Sequence, residues 1–264
     1  MRTKRRAGTT AGAVVAVLAV AGAVLWGTGN GGDGGGPRPL TADEAQRMAL
    51  ARFHTYRQSP SQVTVRAAAG GGTSVVHAVV DHRLHRAVGW YETDGSTGPA
   101  RSRLLAWDSG ELAVAPATAP PSSLAQAARQ AAGKERDGWT RRGFGASALD
   151  TALRLTLSLA ADRPDNAQLL AQSGPLRLGG ERIDGRSFDV VSGPRPLPQA
   201  SPARTTDGTG GQSPLTYWIG DGGALRRVRG ELGAGRTFTV DLTAAPPRIT
   251  VPAAPWERTG ASGP

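Results

Sequence analysis

The chain has 264 residues, a length typical of one domain with short appendages. It contains no cysteine, which excludes disulfide bonds, thiol catalysis and cysteine-based zinc sites. Its 31 Lys and Arg residues outnumber its 21 Asp and Glu residues, for a formal net charge of +10. Nucleic acid is still not an expected partner, because no run of five basic residues occurs beyond the N-terminal segment.

The N-terminus predicts a single membrane span. Residues 1–6 read MRTKRR and form a basic cytoplasmic stub, whereas residues 7–26 carry no charge. A helix of this uncharged length rises about 30 Å, which matches the hydrocarbon core of a bilayer. Because basic residues stay on the cytoplasmic side, the C-terminal domain is expected outside the cytoplasm, anchored to the cell membrane.

A cleaved signal peptide is the alternative interpretation of the same segment. Small residues flank Val20 and Gly22 in the pattern that signal peptidases accept. The uncleaved anchor is preferred because apolar residues continue past both sites, through Trp26. Both interpretations place residues 40–264 outside the cytoplasm.

The segment after the anchor predicts a tether and then a helix. Residues 27–39, GTGNGGDGGGPRP, form a glycine-rich flexible linker. Thr41 and Glu44 then form a capping box, and apolar residues recur at helical spacing through about Arg57. This helix opens an extracytoplasmic domain that we assign to residues 40–243.

Short alternating segments follow the first helix and predict antiparallel hairpins. Residues 63–67 alternate apolar and polar side chains, and residues 73–80 are nearly all apolar or β-branched. Further strands are predicted at 84–91, 101–107 and 111–115. Connections this short leave no room for the crossover helices of a parallel sheet.

The middle of the chain predicts helices. Residues 122–138 suggest a short exposed helix, and the segment Ala146–Ala161 predicts a helix with leucines on more than one side. Such a helix is buried or lies between two apolar surfaces. A second short helix is expected next, with Asp162 near its start and Asp165 favouring its dipole.

The last third returns to strands. The dipeptide Asp184-Gly185 predicts a tight hairpin, because both residues accept positive φ. Residues 193–213 are a long polar loop, further strands run through Leu242, and residues 244–264 are expected to be irregular. Strands on both sides of a helical block indicate an α+β fold, with one large antiparallel sheet and helices on one face.

The pattern resembles the LolA/LprG/LppX superfamily of lipoprotein and lipid carriers. The segments that carry the resemblance are DGRSFDVVSG, LTYWIGDGGALRRVRGEL and FTVDLT. The resemblance implies a half-barrel, a curved antiparallel sheet whose concave face is covered by helices and accepts acyl chains. The segments LTADEAQRMALARF and ADRPDNAQLLAQSGP also look like anchored proteins of Streptomyces-type actinobacteria, which implies no activity.

The expected function is non-enzymatic binding of a lipid or another apolar ligand. The candidate cavity-lining residues are Leu153, Leu155, Leu157, Leu159, Trp90 and Trp218. Ordinary core packing is the alternative role for each tryptophan. An interaction or regulatory ectodomain with a filled core and no ligand is the alternative function, and an apolar void of several hundred Å³ would distinguish carriage from it.

No catalytic, cofactor or metal site is expected. Neither G-x-S-x-G nor S-x-x-K occurs, so serine acylation has no basis in the sequence. His82 and His85 form the only histidine cluster, and a third metal ligand is not evident, so we interpret them as a solvated turn. The expected partners are the membrane and a lipid, and the sequence identifies no protein partner.

Overall fold

The computed structural model describes residues 36–69, 72–94, 102–194, 213–245 and 249–255. The predicted stub, anchor, most of the glycine-rich linker and most of the 193–213 loop lie outside these residues. Within the described part of the chain, no helix is both long and apolar enough to cross a membrane. The anchor and the signal peptide therefore both stay predictions.

Twelve strands of the described residues form a single sheet in which all neighbouring strands are antiparallel, which confirms the predicted sheet. The strands are β1 (Arg38–Pro39), β2 (Ser61–Ala69), β3 (Gly72–Asp81), β4 (Arg86–Asp94), β5 (Arg103–Asp108), β6 (Glu111–Pro116), β7 (Thr140–Gly143), β8 (Leu176–Ile183), β9 (Arg186–Ser192), β10 (Leu215–Gly220), β11 (Leu225–Glu231) and β12 (Thr237–Ala244). Their spatial order is β1-β8-β9-β10-β11-β12-β2-β3-β4-β5-β6-β7. The pairing of β12 with β2 joins the C-terminal strands to the N-terminal meander.

Four α-helices accompany the sheet in the described ranges. They are α1 (Ala42–Arg57), α2 (Leu124–Ala132), α3 (Ala148–Ser158) and α4 (Ala167–Gln172). The predicted capping box is present: the Thr41 side chain accepts from the Glu44 N–H, and the Glu44 carboxylate accepts from the Thr41 N–H. The predicted β8–β9 hairpin is also present, with φ of 51° at Asp184 and 76° at Gly185.

Helices α1 and α3 cover one face of the sheet, which we call the front face. Helix α3 packs on β2, β3, β5 and β12, whereas α1 packs on β10 and β11. Beneath α3, Trp107 is fully buried and donates its indole N–H to the Leu153 carbonyl oxygen at 3.1 Å and to Thr156 Oγ1 at 3.3 Å. This contact fixes the distance between α3 and the sheet.

Helix α2 lies on the opposite face, which we call the back face, and this corrects the prediction of helices on one face only. Leu124 and three alanines of α2 pack against β4 and β5 with Val88, Trp90 and Leu104. Val251 of the irregular C-terminal segment joins the same cluster. The sequence suggests an exposed helix here because most of the α2 residues that face the sheet are alanines, whose small side chains give only a weak apolar signal.

Two further predictions need correction. Helix α4 begins at Ala167 with Asn166 as its N-cap, so Asp162 and Asp165 precede the helix. His82 is fully buried, whereas His85 is exposed, so the pair is not a solvated turn. His82 is held inward because its backbone N–H donates to Ser59 Oγ at 2.9 Å, at the end of α1.

Candidate functional site

A cavity of about 950 Å³ lies on the front face, between α1, α4, the end of α3 and strands β10 and β11. Most of its wall is apolar. The apolar lining residues are Met48, Ala51, Leu155, Leu159, Leu169, Leu170, Pro194, Ile219 and Leu225, and Tyr217 adds its ring. A volume of this size is at the upper end of the range that holds small organic ligands, about 300–1,000 Å³.

The cavity exists because α3 ends early and α4 is too short to fill the remaining space. Helix α3 stops at Ser158, and none of the six α4 residues is buried. The connector between them, residues 159–166, is held on α1 instead of on the sheet. The Ala161 N–H donates to the Arg52 carbonyl oxygen at 3.1 Å, and the Asp165 N–H donates to the Ala49 carbonyl oxygen at 3.0 Å.

The cavity has a deep apolar end and a polar mouth. Ile219 and Met48 are 2% and 7% exposed and mark the deep end. Leu169 is 63% exposed, although it also lines the cavity. We define the mouth as Arg52, Asp165, Asn166 and Leu169. An elongated apolar molecule that enters at the mouth would reach the buried sheet residues at the deep end.

The charges at the mouth neutralise each other. Arg52 donates to Asp165 Oδ1 at 3.2 Å and to the carbonyl oxygens of Ser158 at 3.3 Å and Ala160 at 3.5 Å. The pair is part-exposed, so it adds little to stability, typically below about 1 kcal/mol. Its consequence for the site is that the one guanidinium lining the described cavity wall already has an anionic partner.

Tyr217 carries a phenol into the same region of the cavity. Burial raises its pKa, while Arg52 lowers it and Asp165 raises it further. The hydroxyl therefore stays protonated at neutral pH and can donate as well as accept a hydrogen bond. It has no hydrogen-bond partner among the described side chains and backbone groups.

The structure separates the four predicted leucines into two pairs. Leu155 and Leu159 line the cavity. Leu153 and Leu157 are 1% and 5% exposed, and they pack into the core beneath α3 instead of lining the cavity. The separation follows from the helical period, since residues two apart in a helix point in different directions. Ligand binding by the four leucines stays a prediction.

Both predicted tryptophans lie on the back face, away from the cavity. Trp90 packs with the α2 cluster, and Trp218 packs with Ile183, Phe188 and Val190. Side chains alternate between the two faces along a strand, so Tyr217 and Ile219 face the cavity while Trp218 between them cannot. The placement corresponds to the core-packing alternative for each residue. The Trp218 indole donates to Glu181 at 2.7 Å, and Arg227 covers its ring.

Sequence reasoning missed the mouth residues and Tyr217. Arg52 and Asp165 are 113 residues apart and give no local signal of their contact. Tyr217 could have been found from the alternation of side chains along a strand, because Tyr217 and Ile219 are two residues apart and share the face opposite to Trp218. Across the described residues, no group of three or more His, Asp or Glu side chains is arranged to hold a metal ion.

The chain is similar to known proteins at the level of solved structures. No protein-family model matches the chain, and no curated protein matches it. Among solved structures, the chain is similar to the crystal structure of the Mycobacterium tuberculosis lipoprotein LppX, with a TM-score of 0.42 and 17% sequence identity. The match covers 78% of this chain and 98% of the LppX chain.

Proposed function

We propose that this chain is a non-enzymatic lipid-binding domain that holds an apolar chain in the front-face cavity. The main support for the proposal is the cavity itself, which has a volume of about 950 Å³ and is lined mostly by aliphatic side chains. A filled, ligand-free interaction domain would have a tightly packed interior instead. The void supports carriage over that alternative.

Burial of an aliphatic chain supplies the binding energy. Each methylene transferred from water contributes about 0.8 kcal/mol, and a factor of ten in Kd corresponds to about 1.4 kcal/mol. Affinity should therefore rise about fourfold for each added methylene until the chain fills the cavity, and then level off. A surface that adsorbs lipid without a defined cavity would not produce that limit.

The remaining parts of the proposal rest on the sequence. The uncharged segment 7–26 after a basic stub supports a membrane anchor with the domain outside the cytoplasm. The predicted glycine-rich linker, whose last two residues Arg38 and Pro39 pair with β8 and belong to the sheet, would tether the domain near the membrane surface. We propose that the lipid is exchanged locally at that membrane.

The test is photolabelling of the full chain, held in an amphipathic polymer, by a monoacylglycerol with a diazirine in its acyl chain. Labelled peptides are identified by mass spectrometry, and unlabelled monoacylglycerols of increasing chain length compete. We expect labels on residues 155–170 and on β10, with competition that strengthens and then levels off. Labelling spread over the surface, or confined to the N-terminal segment, would contradict the proposal.

Two variants control this experiment with the same chemical change. Leu155→Trp adds bulk inside the cavity and should weaken the labelling, because the ring takes up part of the ligand volume. Leu84→Trp makes the identical substitution at a turn residue that is 55% exposed and outside the cavity. Equal labelling in both variants would place the ligand elsewhere.

A further inference from the structure

The polar mouth of the cavity restricts the kind of headgroup that the bound lipid can carry. Resting on the proposed function, we propose that the ligand is an uncharged amphiphile, with an ester or hydroxyl headgroup, and that the Arg52–Asp165 pair excludes lipids with a carboxylate or phosphate head. The geometry that points to it is the environment of the only cationic group on the described cavity wall, whose charge Asp165 neutralises and which also donates to two backbone carbonyl oxygens.

Arg52 is the side chain that a fatty-acid carboxylate would need. Its Nη1 already donates to Asp165, its Nε donates to the Ser158 carbonyl oxygen, and its Nη2 approaches the Ala160 carbonyl oxygen. A carboxylate at the mouth would have to displace Asp165, or lie beside it as a second negative charge. The ligand carboxylate and the Asp165 carboxylate would repel each other, and partial burial of a charge without a cationic partner adds a desolvation cost.

The uncharged polar groups at the mouth suit a neutral head better. The Tyr217 hydroxyl stays protonated, and the Oδ1 atom of Asn166 accepts from the Gln168 and Leu169 N–H groups, which leaves its amide nitrogen as a donor. Ser158 and Ser173 donate their hydroxyls to carbonyl oxygens of their own helices, so their oxygens can still accept. Donors and acceptors are therefore both present. A hydroxyl can pair with both and an ester can accept from the donors, and neither brings the negative charge of a carboxylate to the mouth.

The decisive comparison uses two competitors that differ only in the head. Palmitic acid and 1-palmitoylglycerol compete for the photolabel on the full chain at pH 8, where the acid is ionised. We expect the glycerol ester to compete at a concentration lower by about tenfold or more, because the acid must place an uncompensated charge at the mouth. If neither compound competes, the proposed lipid-binding function fails; if the acid competes as well as the ester or better, only the headgroup inference fails.

A replacement that keeps the shape of Asp165 and removes its negative charge then tests the mechanism. Asp165→Asn frees Arg52 and should improve competition by the acid, measured relative to the ester on the same variant, by about tenfold. Asp162→Asn removes the same charge three residues earlier, from an exposed position that does not line the cavity, and should leave the preference unchanged. An equal shift in both variants, or no shift in Asp165→Asn, would overturn the inference.

A second variant keeps the test independent of how well Asp165→Asn folds. Arg52→Gln leaves Asp165 without its cationic partner, so the acid should compete still more weakly, relative to the ester on the same variant, than it does in the unmodified chain. Improved competition by the acid in Arg52→Gln would contradict the assigned role of the pair.

Discussion

The front face of the sheet contains a packed half and a hollow half with similar residues. In the packed half, α3 lies on β2, β3, β5 and β12, and Trp107, Leu112 and Leu153 leave at most 1% of their surfaces exposed. In the hollow half, Ile219 and Leu225 of β10 and β11 face a cavity of about 950 Å³. The aliphatic side chains of the strands therefore do not decide whether the core above them is filled. The helix that covers the strands decides it.

The two helices differ in length and in how they are held. Helix α3 has 11 residues, and near its start Asp150 accepts two hydrogen bonds from Arg142, at 2.6 and 2.8 Å. Its middle is held on the sheet by Trp107. Helix α4 has 6 residues, and hydrogen bonds of the preceding connector tie it to α1. The hollow half is therefore spanned by a segment that does not descend onto the sheet.

The largest expected effect separates the halves within one helix. Leu153→Ala should lower the free energy of unfolding by about 2–5 kcal/mol, because it opens a void in a filled core. Leu155→Ala, two residues along, should cost less than about 1 kcal/mol, because that side chain already borders a void. Urea denaturation measures both losses, provided that the dependence of the free energy of unfolding on urea concentration is the same in the two variants. Equal losses would show that the two leucines have equivalent surroundings.

A second expected effect is a pH dependence at the buried turn beside α1. Burial lowers the pKa of His82 to about 4, and its ring nitrogens have no hydrogen-bond partner among the described residues. The unfolded chain therefore binds a proton more readily than the folded chain. Above about pH 6.5 the His82 ring is neutral in both the folded and the unfolded chain, and it does not lower the free energy of unfolding. As the pH falls from there to 4, the unfolded chain takes up the proton first, and up to about 3 kcal/mol of stability is lost.

His82→Leu tests this dependence. The variant should remove the loss between pH 6.5 and 4 without a large cost at pH 7, since no ring hydrogen bond is lost. The losses that remain below pH 4.5 should come from carboxylates such as Glu44, whose pKa is lowered to about 2 chiefly by its hydrogen bonds from Arg38. A slope between pH 6.5 and 4.5 that persists in His82→Leu would assign the dependence to another group.

Local elements of both halves could be predicted from sequence, whereas the cavity of the hollow half could not. The Thr41 cap, the Asp184-Gly185 hairpin and the helix around Leu153 depend on neighbouring residues, so local patterns reveal them. The cavity depends on where α4 stands, which is set by contacts between α1 and the connector. Those contacts join residues such as Arg52 and Asp165, which no local pattern connects.

A smaller stability effect is expected from filling the hollow half. Leu155→Trp should change the free energy of unfolding by less than about 1 kcal/mol, because the added ring enters empty space instead of a packed core. Thermal unfolding of Leu155→Trp beside Leu153→Trp provides the comparison. Overpacking at Leu153 should cost about 1–3 kcal/mol, and an equal cost at both positions would contradict the presence of an open volume beside Leu155.

The smallest stability effect is expected at the mouth. Leu169→Ser should alter stability by no more than about 0.5 kcal/mol, since the side chain is 63% exposed. It should still weaken photolabelling, because it removes apolar surface from the entrance of the cavity. Unchanged labelling would indicate that Leu169 does not contact the acyl chain.

Native mass spectrometry of the full chain tests the central claim most directly. The unmodified protein and Leu84→Trp should retain lipid adducts from the expression host, with masses of uncharged acyl esters, whereas Leu155→Trp should retain fewer. Absence of adducts from all three proteins, or equal adducts on all three, would contradict a lipid held in the front-face cavity.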